Sequence, residues 1–203
     1  MLLSVDTAGP VIGAACGSGH FSQRIVRGAD AVLTPALAEL IEGIQVSGVV
    51  VSVGPGAFTG LRVGVAAALG LAVALGVPVL PVSSLRARAA LVAPAGRVLA
   101  LLDGRKGRAY AALYQDGSLQ GEEQDVPPQV AIAQAGGDFL AIGEGALVWR
   151  SLIEESGGRV DPDAGRSPAH AMLTLGELLQ PQRPEALRIR YIRAPDAKKP
   201  GLS

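Results

Sequence analysis

Two aspartates, Asp6 and Asp103, are the residues best placed by type and context to do chemistry. Each closes a short apolar run, Leu2 to Asp6 and Arg97 to Asp103. Each is followed by a glycine-bearing turn, Thr7-Ala8-Gly9-Pro10 in one case and Gly104-Arg105-Lys106-Gly107 in the other. A magnesium–phosphate site needs hard carboxylate oxygens for the cation and glycine-rich turns whose N–H groups face phosphate oxygens. On that reading Asp6, Thr7, Asp103 and Gly104 form a nucleotide site, in degenerate form because the glycine content is thin. The same carboxylates would equally serve to cap a strand-to-turn transition, and both readings stand at this point.

Other chemistry is sparse. Gly54-Pro55-Gly56 has the glycine content of a phosphate loop but lacks the Gly-Lys-Ser/Thr ending. It serves either as an anion cradle at a helix N-terminus or as a tight turn that lets two backbones approach. Arg62, one turn later, is an interface residue, a phosphate ligand or a solvated charge. Glu144, between Gly143 and Gly145, sits where a turn either approaches an adenine or joins a strand to a helix. The histidines, His20 and His170, are far apart and Cys16 is the single cysteine, so no metal site and no disulfide framework is expected. No nucleophile motif surrounds either histidine, which leaves a peptidase as the weakest enzymatic reading.

Eighteen basic and 18 acidic residues balance to zero charge, which argues against a protein that grips nucleic acid alone. Met1 runs straight into Leu-Leu-Ser-Val-Asp without a basic leader, and the apolar run Val63 to Leu75 is shorter than a spanning helix, so a cytoplasmic protein without a membrane span is expected.

The elements that must position these residues follow from periodicity. Residues 2–6, 11–16 and 21–26 read as three hairpin-connected strands. Leu33, Leu37, Leu40 and Ile41 recur at helical spacing; Asp30 caps that helix, or Thr34-Pro35 opens it later. Val49, Val50, Val51 and Val53 mark a strand covered on both faces. Thr59 is placed to cap a helix from near Gly60 to Leu75, rich in Gly and Ala and carrying one charge, Arg62. It is apolar all round, so it is either the centre of the core or half of an interface. Residues 79–82 read as an edge-like strand, and Ser83-Ser84 caps a helix reaching about Val92. Residues 97–103, 109–114 and 119–126 repeat the three-strand opening. A helix from Pro128 to Ala135, a strand over 139–142, a helix around 147–155, a loop over 157–166 and a helix from Pro168 to about Leu179 complete the chain. Arg188, Arg190, Arg193, Lys198 and Lys199 make a basic tail.

The two halves share one plan, with Asp6 and Asp103 in equivalent places. Residues 1–95 and 96–203 therefore read as two duplicated βββαβα-type domains of an α/β, actin-like ATPase (ASKHA) fold, separated at Ala-Pro-Ala-Gly (93–96).

The stretch Val53-Gly-Pro-Gly-Ala-Phe-Thr-Gly-Leu-Arg-Val-Gly64 closely resembles the signature of the TsaB (YeaZ) family. The opening Leu2-Leu3-Ser4-Val5-Asp6-Thr7-Ala8, the segment Val77 to Leu85, Leu102-Asp103-Gly104-Arg105-Lys106-Gly107 and Tyr191-Ile192-Arg193 resemble other family segments. The resemblance implies a non-catalytic subunit in the threonylcarbamoyladenosine modification of tRNA, a degenerate paralogue of the catalytic TsaD. It implies no cofactor of its own, with room for ATP or ADP at the partner interface. It implies pairing with a TsaD-like subunit or with a second copy, a TsaE-like ATPase nearby, and tRNA contacted through the complex. The partner interface would include Leu33, Leu37, Leu40, Ile41, Leu61, Arg62, Val65 and Leu69. This sequence departs from the family in lacking a histidine before the first helix, where it reads Gly28-Ala29-Asp30-Ala31, and in a trimmed second half. The competing enzymatic reading is an actin-fold ATPase or small-molecule kinase using Asp6 and Asp103.

Overall fold

The computed structural model describes residues 1–193; the tail lysines Lys198 and Lys199 lie outside the described residues. The first sheet is built from β1 (Leu2–Asp6), β2 (Val11–Cys16) and β3 (Gly19–Arg24), which pair antiparallel. The chain then forms α1 (Ala29–Ile41), β4 (Gly48–Ser52), α2 (Phe58–Leu75) and β5 (Val79–Val82), with β4 parallel to β1 and β5 parallel to β4. The strand order is β3-β2-β1-β4-β5.

After α3 (Ser84–Ala89) the plan repeats. Strands β6 (Arg97–Asp103), β7 (Ala109–Gln115) and β8 (Ser118–Val126) are followed by α4 (Pro128–Ala135), β9 (Leu140–Ile142), α5 (Glu144–Val148), α6 (Arg150–Glu155), β10 (Arg159–Val160) and α7 (Ala169–Gly176). The second sheet is ordered β10-β9-β6-β7-β8, the strand-for-strand equivalent of the first. The two-residue β10, hidden in what the sequence presents as a loop, is the counterpart of β5. It is too short to show alternation, and only its parallel pairing with β9 makes it a strand. The helix expected around 147–155 is broken at Trp149 (φ −110°) into α5 and α6.

The strand β4 is buried along its whole length because it is covered twice. Val49 and Val51 pack in the cluster that holds Leu33 of α1 and Val65 of α2, whereas Val50 packs with Met172 of α7 on the other face. That second cover crosses the expected division at 95/96. Helix α3, before the division, puts Leu85 into the core of the second sheet. Helix α7, 70 and more residues beyond it, returns to the first: Ser4 Oγ donates to Ala169 O at 2.6 Å, and a Cβ on Gly176 would lie 2.6 Å from Val50. The chain then bridges Val79 with Gln182, buries Leu187 in the first core, and bonds Arg190 N to Val53 O at 2.7 Å. The lobes are thus interlocked, with α3 and α7 between the sheets.

Helix boundaries shift for capping reasons. Helix α1 starts at Ala29 after left-handed Gly28 (φ +74°), so Pro35 lies inside it and Thr34 is not its cap. Helix α2 starts at Phe58 rather than Gly60, with Ala57 as N-cap and no side-chain cap, so Thr59 is an exposed first-turn residue. Helix α3 is capped by Ser83, whose Oγ accepts from Leu85 N and Arg86 N, and it ends at Ala89 rather than Val92. With 18 residues and mean hydropathy 1.8, α2 is long and apolar enough to cross a membrane by length and composition, which the shorter run counted in the sequence understated. Its inner stripe of Leu61, Gly64, Val65, Ala68 and Ala72 is nevertheless buried in the domain. Its outer stripe of Ala66, Gly70, Val73, Ala74 and Leu75 is exposed.

Candidate functional site

Asp6 ends the central strand β1 and is fully buried, as are its neighbours Ser52, Ser84, Thr7 and Arg88. Parallel register sets Ser52, the last residue of β4, beside it, and Ser52 Oγ donates to Asp6 Oδ1. Arg88, on α3, approaches from between the lobes. Its Nη1 donates to Asp6 Oδ1 and its Nη2 to Asp6 Oδ2, both at 3.0 Å, a bidentate pair, and Nη1 also reaches Ser84 O at 3.2 Å. From the second lobe, Glu144 at the start of α5 brings Oε2 to 3.6 Å from Arg88 Nε. The site therefore joins one guanidinium to two carboxylates from opposite lobes.

The electrostatics follow from that count. Burial works against the Arg88 charge, but Asp6 and Glu144 outweigh it and hold the guanidinium above its usual value. Glu144 is pushed above the ordinary carboxylate range by burial, opposed by Arg88 and reinforced by the Asp6 charge. Both Asp6 oxygens are engaged, by three hydrogen bonds from Ser52 and Arg88, and the Arg88 guanidinium already supplies the positive charge that a divalent cation would bring. The Gly9 turn is packed against the same pair: a Cβ there would meet Glu144 Oε1 at 2.6 Å and Arg88 Nη2 at 3.0 Å. The space beside the turn, where a phosphate would sit, is filled by side chains. The residues present do not fit a magnesium–nucleotide at Asp6.

The other expected site residues are used differently. Asp103 is half-buried and caps its own turn, accepting from Arg105 N at 2.8 Å with the Arg105 side chain 3.6 Å away. Gly104 belongs to the same turn through Gly104 N to Arg108 O at 2.8 Å. Thr7 Oγ1 donates to Gly60 O at 2.7 Å, tying the first turn to α2. Of the two readings of Asp103, the capping one describes its contacts. Asp6 caps nothing; it is an ion-pair residue, a role that the sequence reading did not include.

The glycine signature is explained by close approach. Gly54 has φ +115°, and a Cβ on it would lie 2.3 Å from Arg190 O; on Gly56 it would lie 2.5 Å from Ala8 O, and on Gly60 2.2 Å from Thr7 O. The glycines flanking Glu144 do the same against β6: a Cβ on Gly143 would meet Leu101 O at 2.2 Å. Arg62 is exposed, lies 3.8 Å over the Phe58 ring, and donates from Nε to Tyr191 Oη at 3.4 Å.

The eight interface residues split by burial. Leu33, Leu37, Leu61 and Val65 sit in the core, where no partner reaches them without unfolding the lobe. Leu40, Ile41 and Leu69 are half-buried and Arg62 is exposed. The reason is the helix period: inner and outer stripes of a helix apolar all round look alike in sequence. Among the described residues no group of three or more His, Cys, Asp or Glu could hold a metal ion, and neither His20 nor His170 bonds a serine or a carboxylate.

Arg88 was not singled out by sequence. Its one signal is spacing: on α3 it falls four residues after Ser84 and three after Leu85, on the inward stripe, whereas Arg86 falls outside. A second inter-lobe contact also lay beyond sequence. Glu123 on β8 accepts from Ser83 Oγ and holds Arg190 Nη1 3.0 Å from Oε2.

Comparison with known proteins gives these features a context. A family model described as TsaD, tRNA N6-adenosine threonylcarbamoyltransferase, matches residues 17–145, more than half of the chain. The Escherichia coli tRNA threonylcarbamoyladenosine biosynthesis protein TsaB is 33% identical over 153 residues, 70% of this chain and 64% of its own length, so the match spans less than two thirds of that protein. An uncharacterized protein of Mycobacterium tuberculosis is 33% identical over 97% of this chain and 93% of its own. A crystal structure from Pseudomonas aeruginosa, described as an uncharacterized protein with similarity to peptidase YEAZ, superimposes with a TM-score of 0.80 at 28% identity, covering 95% of this chain and 99% of that one. The duplicated lobes are those of the actin-like ATPase fold. The chain belongs to the TsaD family, as a relative of its TsaB/YeaZ proteins.

Proposed function

We propose that this protein acts in the biosynthesis of threonylcarbamoyladenosine in tRNA as a non-catalytic subunit, which supports a TsaD-like catalytic subunit without carrying the reaction. One observation carries this reading: the carboxylate that an actin-fold enzyme would offer to a metal–phosphate is already paired with the chain's own Arg88 and Ser52. Its sequence-level counterpart, Asp103, is committed to its own turn.

The partner surface in this reading is the outer side of α1 and α2, where half-buried Leu40, Ile41 and Leu69 adjoin exposed Arg62, Ala66 and Val73. Small residues on α2 let another helix approach closely. The same surface serves a second copy when the partner is absent. ATP or ADP belongs at the partner interface rather than to this chain, and a TsaE-like ATPase joins there. The tRNA is held mainly by the partners, since this chain is electrically neutral overall. The cytoplasm is the compartment that goes with this role.

Reconstitution tests it. The purified chain alone should make no modified tRNA, and its omission from a set containing TsaD-like and TsaE-like subunits should abolish product. Full product without it refutes the scaffold role, and magnesium-dependent ATP turnover by the isolated chain favours the kinase or ATPase reading instead.

A further inference from the structure

We propose that Arg88 is a built-in latch that sets the angle between the two lobes, occupying with its own guanidinium the place at Asp6 that a cation would otherwise take. The latch has two arms of unequal strength. The first is the bidentate pair with Asp6 at 3.0 Å on both bonds, which fixes the guanidinium to the end of β1 in the first lobe. The second runs to Glu144 at the start of α5 in the second lobe, at 3.6 Å. Arg88 itself rides on α3, between the sheets. One side chain thereby touches both lobes and the element between them, and its own solvent exposure is 2%.

The second arm is the informative one. Arg88 Nε is buried yet makes no hydrogen bond, and buried donors are almost always paired. Its one carboxylate neighbour lies just outside the hydrogen-bonding range of about 2.7–3.2 Å. A small approach of α5 to α3 converts the contact into a charge-assisted hydrogen bond, so the Arg88–Glu144 distance reports and resists lobe rotation. The glycine turn at Gly9 leaves no slack on the remaining side, since Glu144 Oε1 and Arg88 Nη2 are already against it. A buried ion network of this kind adds little net stability, because desolvation offsets attraction; in the proposed latch its role is to hold geometry. The latch is a property of the isolated chain, independent of the pathway and partner.

Spin labels at Ser22→Cys on β3 and Ser118→Cys on β8, in a Cys16→Ala background of the full chain, report the inter-lobe distance distribution. Both label sites are exposed. The parent should give one narrow distribution. Glu144→Gln, which keeps the shape and removes the charge, should broaden it at least about twofold with unchanged circular dichroism. Arg88→Lys, a point charge that reaches Asp6 without the planar fork, should do the same. A distribution as narrow in Glu144→Gln as in the parent overturns the latch. Magnesium–ATP added to the parent should leave the distribution unmoved; a shift would mean that Asp6 still takes an external cation, and would also overturn it. Glu144→Gln leaves the Asp6–Arg88 pair intact, so the test survives if Arg88 variants fail to fold.

Discussion

Gly60 and Gly70 lie on the same helix, ten residues apart, and the structure assigns opposite signs to the same substitution at the two positions. A Cβ on Gly60 would fall 2.2 Å from the Thr7 carbonyl oxygen, where an ordinary carbon–oxygen contact is about 3.3 Å. The obstacle is backbone, so no rotamer relieves it, and the end of β1 or the first turn of α2 must move by about 1 Å. Overpacking of this kind costs about 1–3 kcal/mol. The displaced Gly60 carbonyl also weakens its bond from Thr7 Oγ1, worth about 0.5–1.5 kcal/mol. Against this stands the helix-propensity gain of Gly→Ala, about 0.5–1 kcal/mol. The net for Gly60→Ala is a loss of about 0.5–4 kcal/mol. At Gly70 a Cβ meets nothing within 4 Å, and only the gain remains. At about 2–4 °C per kcal/mol for a chain of this size, Gly60→Ala should lower Tm by about 1–16 °C and Gly70→Ala should raise it by about 1–4 °C. Thermal unfolding followed by circular dichroism, with urea midpoints as a check, reads both. Equal signs for the two variants, or a neutral Gly60→Ala, would refute the view that the glycine signature exists to let α2 press against the first turn.

Other expectations follow from the same contacts. Glu144 has its pKa raised by burial, so its contribution to stability is full below the ordinary carboxylate value of about 4.3 and is lost as pH rises through the folded value. The parent should therefore lose stability relative to Glu144→Gln over that window, and parallel urea midpoints across it would contradict the assignment. Leu37→Arg should unfold the first lobe, since Leu37 is in the core, whereas Leu69→Arg should leave circular dichroism intact and break association measured by sedimentation; the reverse pattern would place the interface elsewhere. Ser83→Ala removes the α3 cap and the donor to buried Glu123, and should cost about 1–3 kcal/mol in urea unfolding. A loss under a few tenths would mean that α3 is held by packing alone.

The sequence by itself determined the repeated strand plan, the fold class, and the glycine loop between a buried strand and an apolar helix. These rest on local signals: the all-valine run Val49 to Val51, the period-3.6 leucines of α1, and the glycine turns after Asp6 and Asp103. Three things were decided only by tertiary structure. Packing crosses the 95/96 division, because α3 is shared between the two cores and α7 returns to β1 and β4 more than 100 residues back, a pairing that leaves no local trace. The stripes of α2 separate into core and surface only once β1, β4 and the Thr7 turn are set against it. The fate of Asp6 was open for the same reason. A carboxylate after an apolar strand reads equally as a cation ligand or a turn cap until an arginine 82 residues later is seen to close on both of its oxygens, and in a low-dielectric interior that partner settles what the group can do.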